Sequence, residues 1–364
     1  MPVRKKVLLI HFNRRPPITG GEYVYCKISE ALSTAYELTE ISTAMVILKY
    51  FKTRGLKRAL ARYILEPISI LYPLLVRKKY DLIFTSWSDE VPFYGNVVYA
   101  QPPTGSTSKK PFTITDHGRL LHNVAEYFGK GVTWPWRILF GRFSIKYIFF
   151  ISNSKFTMDY ILNKYNKRSY LVYPPVKVDK LRYIPQKKER IVLSIGTIIH
   201  EKRFDLIGKI GTSFPDVKFI LIGKADEVGK KIVQSIENEF AKSGLANNFS
   251  YLGYISDDEK VALLEKASVI FHPAIGETFG ISLVEGMVSG AVPVAHNSGG
   301  PSEFINSEWL FNSDAEIKEK LTKALDAGPS VRRALREKGM TFSEQRFKDS
   351  ILRICDEIIK SKYR

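Results

Sequence analysis

Short, nearly continuous apolar runs alternate along this chain with stretches where apolar residues recur every three or four positions. The first pattern reads as buried strands and the second as amphipathic helices. In the first half the pattern predicts strands at 7–11, 81–85, 96–100, 147–152 and 169–172, with a helix from Glu22 to about Ala35 behind a Thr19-Gly20-Gly21 turn. The second half is more regular. It predicts strands at 190–196, 217–222, 249–252, 269–272 and 292–295, separated by helices at 202–210, 228–241, 257–267 and 281–289, and closes on a helix at 343–362. Strands alternating with helices through short loops predict an α/β fold of doubly wound parallel sheets. The stretch 173–189 carries Pro174, Pro175, Pro185 and many charges, and reads as an interdomain linker. The expected organisation is two Rossmann-like domains, 1–175 and 176–342, with residues 343–364 forming a C-terminal helix that packs back on the N-terminal domain. Ligands of such sheets sit at the carboxyl ends of the strands, so the default site is a central crevice that both domains face.

Composition narrows the class. The 364 residues are 45% hydrophobic and 25% charged, which excludes wholesale disorder and low complexity. Two cysteines, Cys26 and Cys355, exclude a disulfide scaffold and suit a reducing, cytoplasmic compartment. No apolar run reaches the roughly 20 residues that span a bilayer, and the N-terminus does not read as a signal peptide. The formal charge of +18 is unevenly placed. Residues 1–180 hold 28 Lys and Arg against 12 Asp and Glu, whereas 181–364 hold 27 against 25. The first half therefore faces something anionic: nucleic acid, an anionic membrane surface or a phosphorylated substrate. No nucleic-acid-binding module is recognisable, so no nucleic-acid partner is expected. Arg54, Arg58 and Arg62 share one face of a predicted helix over 52–65. With the Trp134-Pro135-Trp136 segment, they favour peripheral contact with an anionic membrane over a merely solvated basic face.

The richest segment is 271–301, FHPAIGETFGISLVEGMVSGAVPVAHNSGGP. A predicted strand ends at His272, a loop carries Glu277, and a helix starting near Gly280 carries Glu285. Both carboxylates can then face one crevice. A carboxylate accepts two vicinal hydroxyls, which suits Glu277 to a sugar and Glu285 to a ribose. The amides of Phe279, Gly280 and Ile281 fall at a helix N-terminus, where unpaired N–H groups favour an anion such as a diphosphate. The alternative is a glutamate capping its own helix beside a solvated one.

This segment resembles the E-x7-E region of the retaining glycosyltransferases of family 4, which have the GT-B fold. His296–Pro301 and Tyr173–Val176 further resemble the α-1,2-mannosyltransferase type that extends dolichol-pyrophosphate oligosaccharides. The resemblance implies a retaining, metal-independent hexosyltransferase with no resident cofactor and a GDP- or UDP-hexose donor. It implies that Lys202 binds phosphate. Arg203 stands next to it, and can supply the cation that the family carries just after the strand, where this chain has Thr197. Otherwise the two bases cap a surface helix. Gly20 and Gly21 resemble the family's glycine loop after the first strand, where backbone can approach a phosphate closely. Gln101 stands where the family has a sugar-contacting histidine. It can hydrogen-bond a hydroxyl but cannot act as an acid or base. His117, beside Asp116, is the substitute candidate or a plain turn residue.

The expected catalytic set is thus Glu277, Lys202, Gln101 and His117. The donor-binding set is Glu285, Gly20, Gly21, Arg203, Phe279, Gly280 and Ile281, and no metal ligand is expected. There is no D-x-D triplet, no zinc spacing, no Walker A and no G-x-G-x-x-G. The resemblance points to a lipid-linked glycan acceptor and a cytoplasmic, membrane-peripheral location. Two readings compete: a nucleotide-sugar epimerase, against which Gln101 argues, and a catalytically weak partner subunit that binds lipid-linked glycan.

Overall fold

The computed structural model describes residues 4–11, 20–42, 75–87, 95–102 and 147–362. His117, the 52–65 segment and the 134–140 segment lie outside the described residues.

The chain forms two compact units, each with its own parallel sheet. The first sheet is built from β1 (Lys6–His11), β2 (Glu37–Ser42), β3 (Leu82–Trp87), β4 (Val97–Ala100), β5 (Phe149–Ser152) and β6 (Ser169–Leu171), in the order β2-β1-β3-β4-β5-β6. Its described helices include α1 (Gly20–Ala35) and α2 (Lys155–Tyr165). The second sheet contains β7 (Glu189–Ile195), β8 (Lys218–Ile222), β9 (Phe249–Gly253), β10 (Ala267–His272), β11 (Val292–His296) and β12 (Leu310–Phe311), in the order β12-β11-β10-β7-β8-β9. Its helices are α3 (Leu206–Gly211), α4 (Glu227–Lys242), α5 (Asp257–Lys266), α6 (Ile281–Val288), α7 (Ile317–Leu325) and α8 (Pro329–Met340). The last helix, α9 (Glu344–Lys362), begins in the second unit and belongs to the first from Phe347 onward.

The central strands are legible because both faces are covered. Every residue of β4 and of β10 is buried, so their sequences are nearly continuously apolar rather than alternating, with Ser268 and His272 the polar members of β10. Polar side chains start the helices where the pattern changes. Asp226 accepts the amides of Val228 and Gly229 to start α4, and Ser256 with Glu259 forms a capping box on α5.

Three expectations change. Residues 202–210 do not form one helix. A short turn, His200–Lys202, ends at Arg203, whose φ of 54° is left-handed and cannot continue a right-handed helix, so α3 starts only at Leu206. The stretch 173–189, expected as an interdomain linker, packs into the second unit and runs into β7 at Glu189. Val176, Val178 and Leu181 are buried in the core of the second unit, and Val176 N–H donates to Phe342 O at 2.9 Å. The helix α1 begins at Gly20, so both glycines of the predicted turn lie in its first turn.

In the first unit, Tyr99 is fully buried on β4. Its hydroxyl donates to Val172 O at 2.9 Å, and the Phe347 ring of α9 stands edge-on to it at 5.8 Å. Ile351, Ile354, Cys355 and Ile358 of α9 are likewise buried. Tyr36 donates to Asp356 at 2.6 Å and Lys348 to Glu30 at 2.7 Å. Among the described residues, no helix is long and apolar enough to cross a membrane.

Candidate active site

The carboxyl ends of β7 and β10 lie side by side in the second sheet, and their following loops build one site. β10 ends at His272. The chain then turns through Pro273–Gly280 into α6, where Gly280 caps the helix with a φ of 90°. Glu277 sits in that loop and is only 7% exposed. Three donors hold it. Lys202, from the turn after β7, donates to Oε2 in a short ion pair. The His272 ring shares a hydrogen bond with the same oxygen through Nε2 at 2.8 Å. Thr278 N–H donates to Oε1 at 3.0 Å.

Burial by itself raises the carboxyl pKa of Glu277. Lys202 and then His272 outweigh it and hold the group well below its ordinary range, so it is ionised. Burial pushes the His272 imidazole below its ordinary pKa despite the neighbouring carboxylate. The neutral ring then donates from Nε2, which leaves Nδ1 as an acceptor, and that atom is buried without a partner.

Glu285 lies in the second turn of α6 and is 8% exposed. Lys260 on α5 donates to its Oε1 at 2.7 Å. Burial works against the charge on Lys260, but the Glu285 carboxylate prevails and its pKa is raised. At the start of α6 the first intrahelical bond runs from Leu283 N–H to Gly280 O at 3.0 Å. The amides of Phe279, Gly280 and Ile281 therefore precede the ladder and point away from the helix body.

A second loop backs the first. Gly300 N–H donates to Glu277 O at 2.8 Å, and Gly276 N–H donates to Ser298 Oγ at 2.8 Å. Ser298 Oγ also bonds His296 Nδ1 at 2.8 Å. A Cβ on Gly299 would stand 2.1 Å from Glu277 O, and one on Gly300 would stand 2.3 Å from Thr278 O. The two glycines are thus what lets these loops touch. Nearby, Gly223 has a φ of 144° and lies against Gly196 O at the end of β7, while Tyr251 donates to Gly223 O at 2.8 Å.

The structure brings Glu277 and Lys202 into direct contact and puts Glu285 and the 279–281 amides on the same loop and helix. Arg203 follows Lys202: its Nη2 donates to both oxygens of Asp314, at 2.7 and 2.8 Å, and its Nη1 to Pro273 O, at the start of the Glu277 loop, at 3.5 Å. Gly20, Gly21 and Gln101 belong to the first unit. Gln101 follows β4 directly, and its Nε2 is buried without a partner. Sequence reading missed His272 as a partner of Glu277 and Lys260 as a partner of Glu285. The second pair is 25 residues apart with no shared periodicity, so only the tertiary structure reveals it. Among the described residues, no group of three or more His, Cys, Asp or Glu side chains could hold a metal ion.

Residues 179–341 match the family model described as glycosyl transferases group 1. The second unit is thus similar to this family over nearly its whole length. The match covers the whole Glu277–Glu285 segment, so the resemblance drawn from that segment holds. The chain is 26% identical over 219 residues to a GDP-Man:Man(3)GlcNAc(2)-PP-Dol alpha-1,2-mannosyltransferase of Dictyostelium discoideum, covering 54% of this chain and 43% of that protein. It is 26% identical over 137 residues to a 2-deoxystreptamine glucosyltransferase of Streptomyces kanamyceticus, covering 35% and 33%. It therefore spans less than half the length of these curated relatives. A glycosyltransferase from Rickettsia africae superposes with a TM-score of 0.69 at 15% identity over 98% of this chain and 99% of that one. Both units thus share the fold of the GT-B glycosyltransferases, and the second matches the group 1 model.

Proposed function

We propose that this protein is a retaining, metal-independent glycosyltransferase that moves a hexose from a nucleotide sugar to a lipid-linked glycan. The observation that carries the reading is the Lys202–Glu277 pair in the loop before α6, with Glu285 in the second turn of that helix. Glu285 takes the ribose hydroxyls. The 279–281 amides and Lys202 meet the diphosphate; an ammonium has three donors, so Lys202 can serve Glu277 and a phosphate oxygen together. Glu277 is ionised and its Oε2 is already engaged, which suits a group that orients sugar hydroxyls rather than one that gives or takes a proton. In the transfer, the bond from the anomeric carbon to the phosphate oxygen breaks. The acceptor oxygen bonds to that carbon from the same face, and its proton passes to the departing phosphate. The chain's share is positioning and fixed charge at the leaving group.

Mannose from GDP-mannose is the preferred donor, because the mannosyltransferase relative matches over the longer stretch. Glucose from UDP-glucose is the second reading, supported by the glucosyltransferase match. An anionic membrane partner follows from the charge of the first half, and a cytoplasmic, peripheral location goes with it.

The test is transfer of labelled sugar from GDP-mannose, UDP-glucose and UDP-N-acetylglucosamine to polyprenyl-linked glycans, wild type beside Glu285→Ala. Losing a hydrogen-bonded carboxylate is worth about 1.5–3 kcal/mol, so transfer should fall by roughly ten- to a hundredfold. Nucleotide binding without transfer from any donor would instead favour the partner-subunit reading. Nucleotide binding that Glu285→Ala leaves untouched would overturn the site.

A further inference from the structure

The amino-terminal edge of the first sheet carries a pocket of about 770 Å³. Its wall comes from the segments that lead into β3, β4, β5 and β6. This is the end opposite to the one where doubly wound sheets hold their ligands.

The pocket is strongly cationic. Arg77, Lys167 and Arg168 line it, and the one lining carboxylate is already engaged. Asp81 accepts the Lys6 backbone N–H at 2.7 Å and lies 3.6 Å from Lys5 Nζ. Among the described residues, no carboxylate pairs with Arg77 or Arg168. Tyr80, Tyr147 and Tyr170 add an aromatic part to the wall, beside Asn96, Ile148 and Ser361. Arg77 lies 5.7 Å over the Tyr147 ring, which holds one guanidinium in place beside the opening. Guanidinium groups offer paired N–H donors whose spacing fits phosphate oxygens.

The rim differs from ordinary polar surface. Tyr147 is 58% exposed, and Leu75, two residues before Arg77, is 80% exposed. Arg77, Lys78 and Lys79 follow as an exposed basic run. An exposed leucine and tyrosine beside a cluster of bases is the composition of a surface that meets lipid head groups.

We propose that this pocket binds a phosphate-bearing head group, and that the natural source is the anionic lipid of a membrane surface. The site uses no residue of the transfer site; its lipid source rests on the membrane partner proposed above, and the soluble-phosphate arm of the test probes the pocket apart from it.

The experiment measures co-sedimentation of the full chain with vesicles of phosphatidylcholine, alone or mixed with phosphatidylglycerol. Soluble glycerol 3-phosphate is titrated separately by calorimetry. The test variant is R77Q/R168Q. The control is K231Q/K318Q, which removes the same charge from exposed positions of the second unit. Wild type should bind only the anionic vesicles. The test variant should lose at least about tenfold in affinity, and the control less than about twofold. Binding of glycerol 3-phosphate that R77Q/R168Q abolishes, with no vesicle binding, keeps the pocket and assigns it a soluble phosphate. The proposal is overturned if neither probe binds wild type, if R77Q/R168Q binds both as wild type does, or if the control loses as much as the test variant.

Discussion

Glu277 is a buried carboxylate whose charge is stabilised only by what surrounds it. Its folded pKa lies well below the ordinary 4.5, so the unfolded chain takes up the proton first on acidification. The stabilisation is therefore complete above about pH 5, shrinks as pH falls below 4.5, and vanishes below the folded pKa. His272 acts in the same direction: its depressed folded pKa means that the unfolded chain binds more protons below about pH 6.5. Glu277→Gln keeps an oxygen for Lys202 and His272 but removes the charge. We expect it to melt below wild type at pH 7, with the gap narrowing as the pH is taken from 5 towards 3. Melting curves of both proteins across that range check this, and a gap that widens on acidification would contradict the ionised state.

At the scale of elements, the site rests on contact between two loops. The loop after β11 lies on the loop after β10 through Gly299, whose φ is 72° and whose Cα faces Glu277 O. Gly299→Ala meets both obstacles at once, a left-handed backbone and a contact of 2.1 Å. Strain of this kind costs about 1–3 kcal/mol. In a unit of this size that corresponds to a fall in melting temperature of roughly 2–10 °C. The KM for the donor should rise together with the loss of stability, because Glu277 is on the loop that must move. Gly328→Ala is the comparison: no atom lies within 4 Å of the position its Cβ would take and its φ is −75°, so it should change neither.

At the scale of the molecule, the chain leaves the first unit after Val172 and returns to it at Phe347. The last helix is thus part of a core whose other strands lie far earlier in sequence. Ile354 is 1% exposed. Ile354→Ala should cost about 2–4 kcal/mol through the cavity it leaves. Hydrogen exchange locates the effect: amides of β1, β3 and β4 should lose protection while those of β7, β8 and β10 keep theirs. Equal loss in both sheets would mean that the units unfold as one. This scale also separates what could be read in advance from what could not. The sequence alone determined β1 and β3–β11, because strands covered on both faces are nearly continuously apolar, but not β12, α2, α7 or α8. It also placed Glu277 and Glu285 at a strand end and on the next helix, since that spacing is local. β2 was not legible, because Glu37 and Glu40 keep an edge strand polar. Nor were the extent of the helix after Lys202 and the burial of Val176, Val178 and Leu181, which depend on one left-handed residue and on what the segment packs against. Only the tertiary structure paired His272 with Glu277, Lys260 with Glu285 and Arg203 with Asp314. It also gathered Arg77, Lys167 and Arg168 around one pocket. Partners drawn from different elements meet through packing, and packing has no period in the sequence.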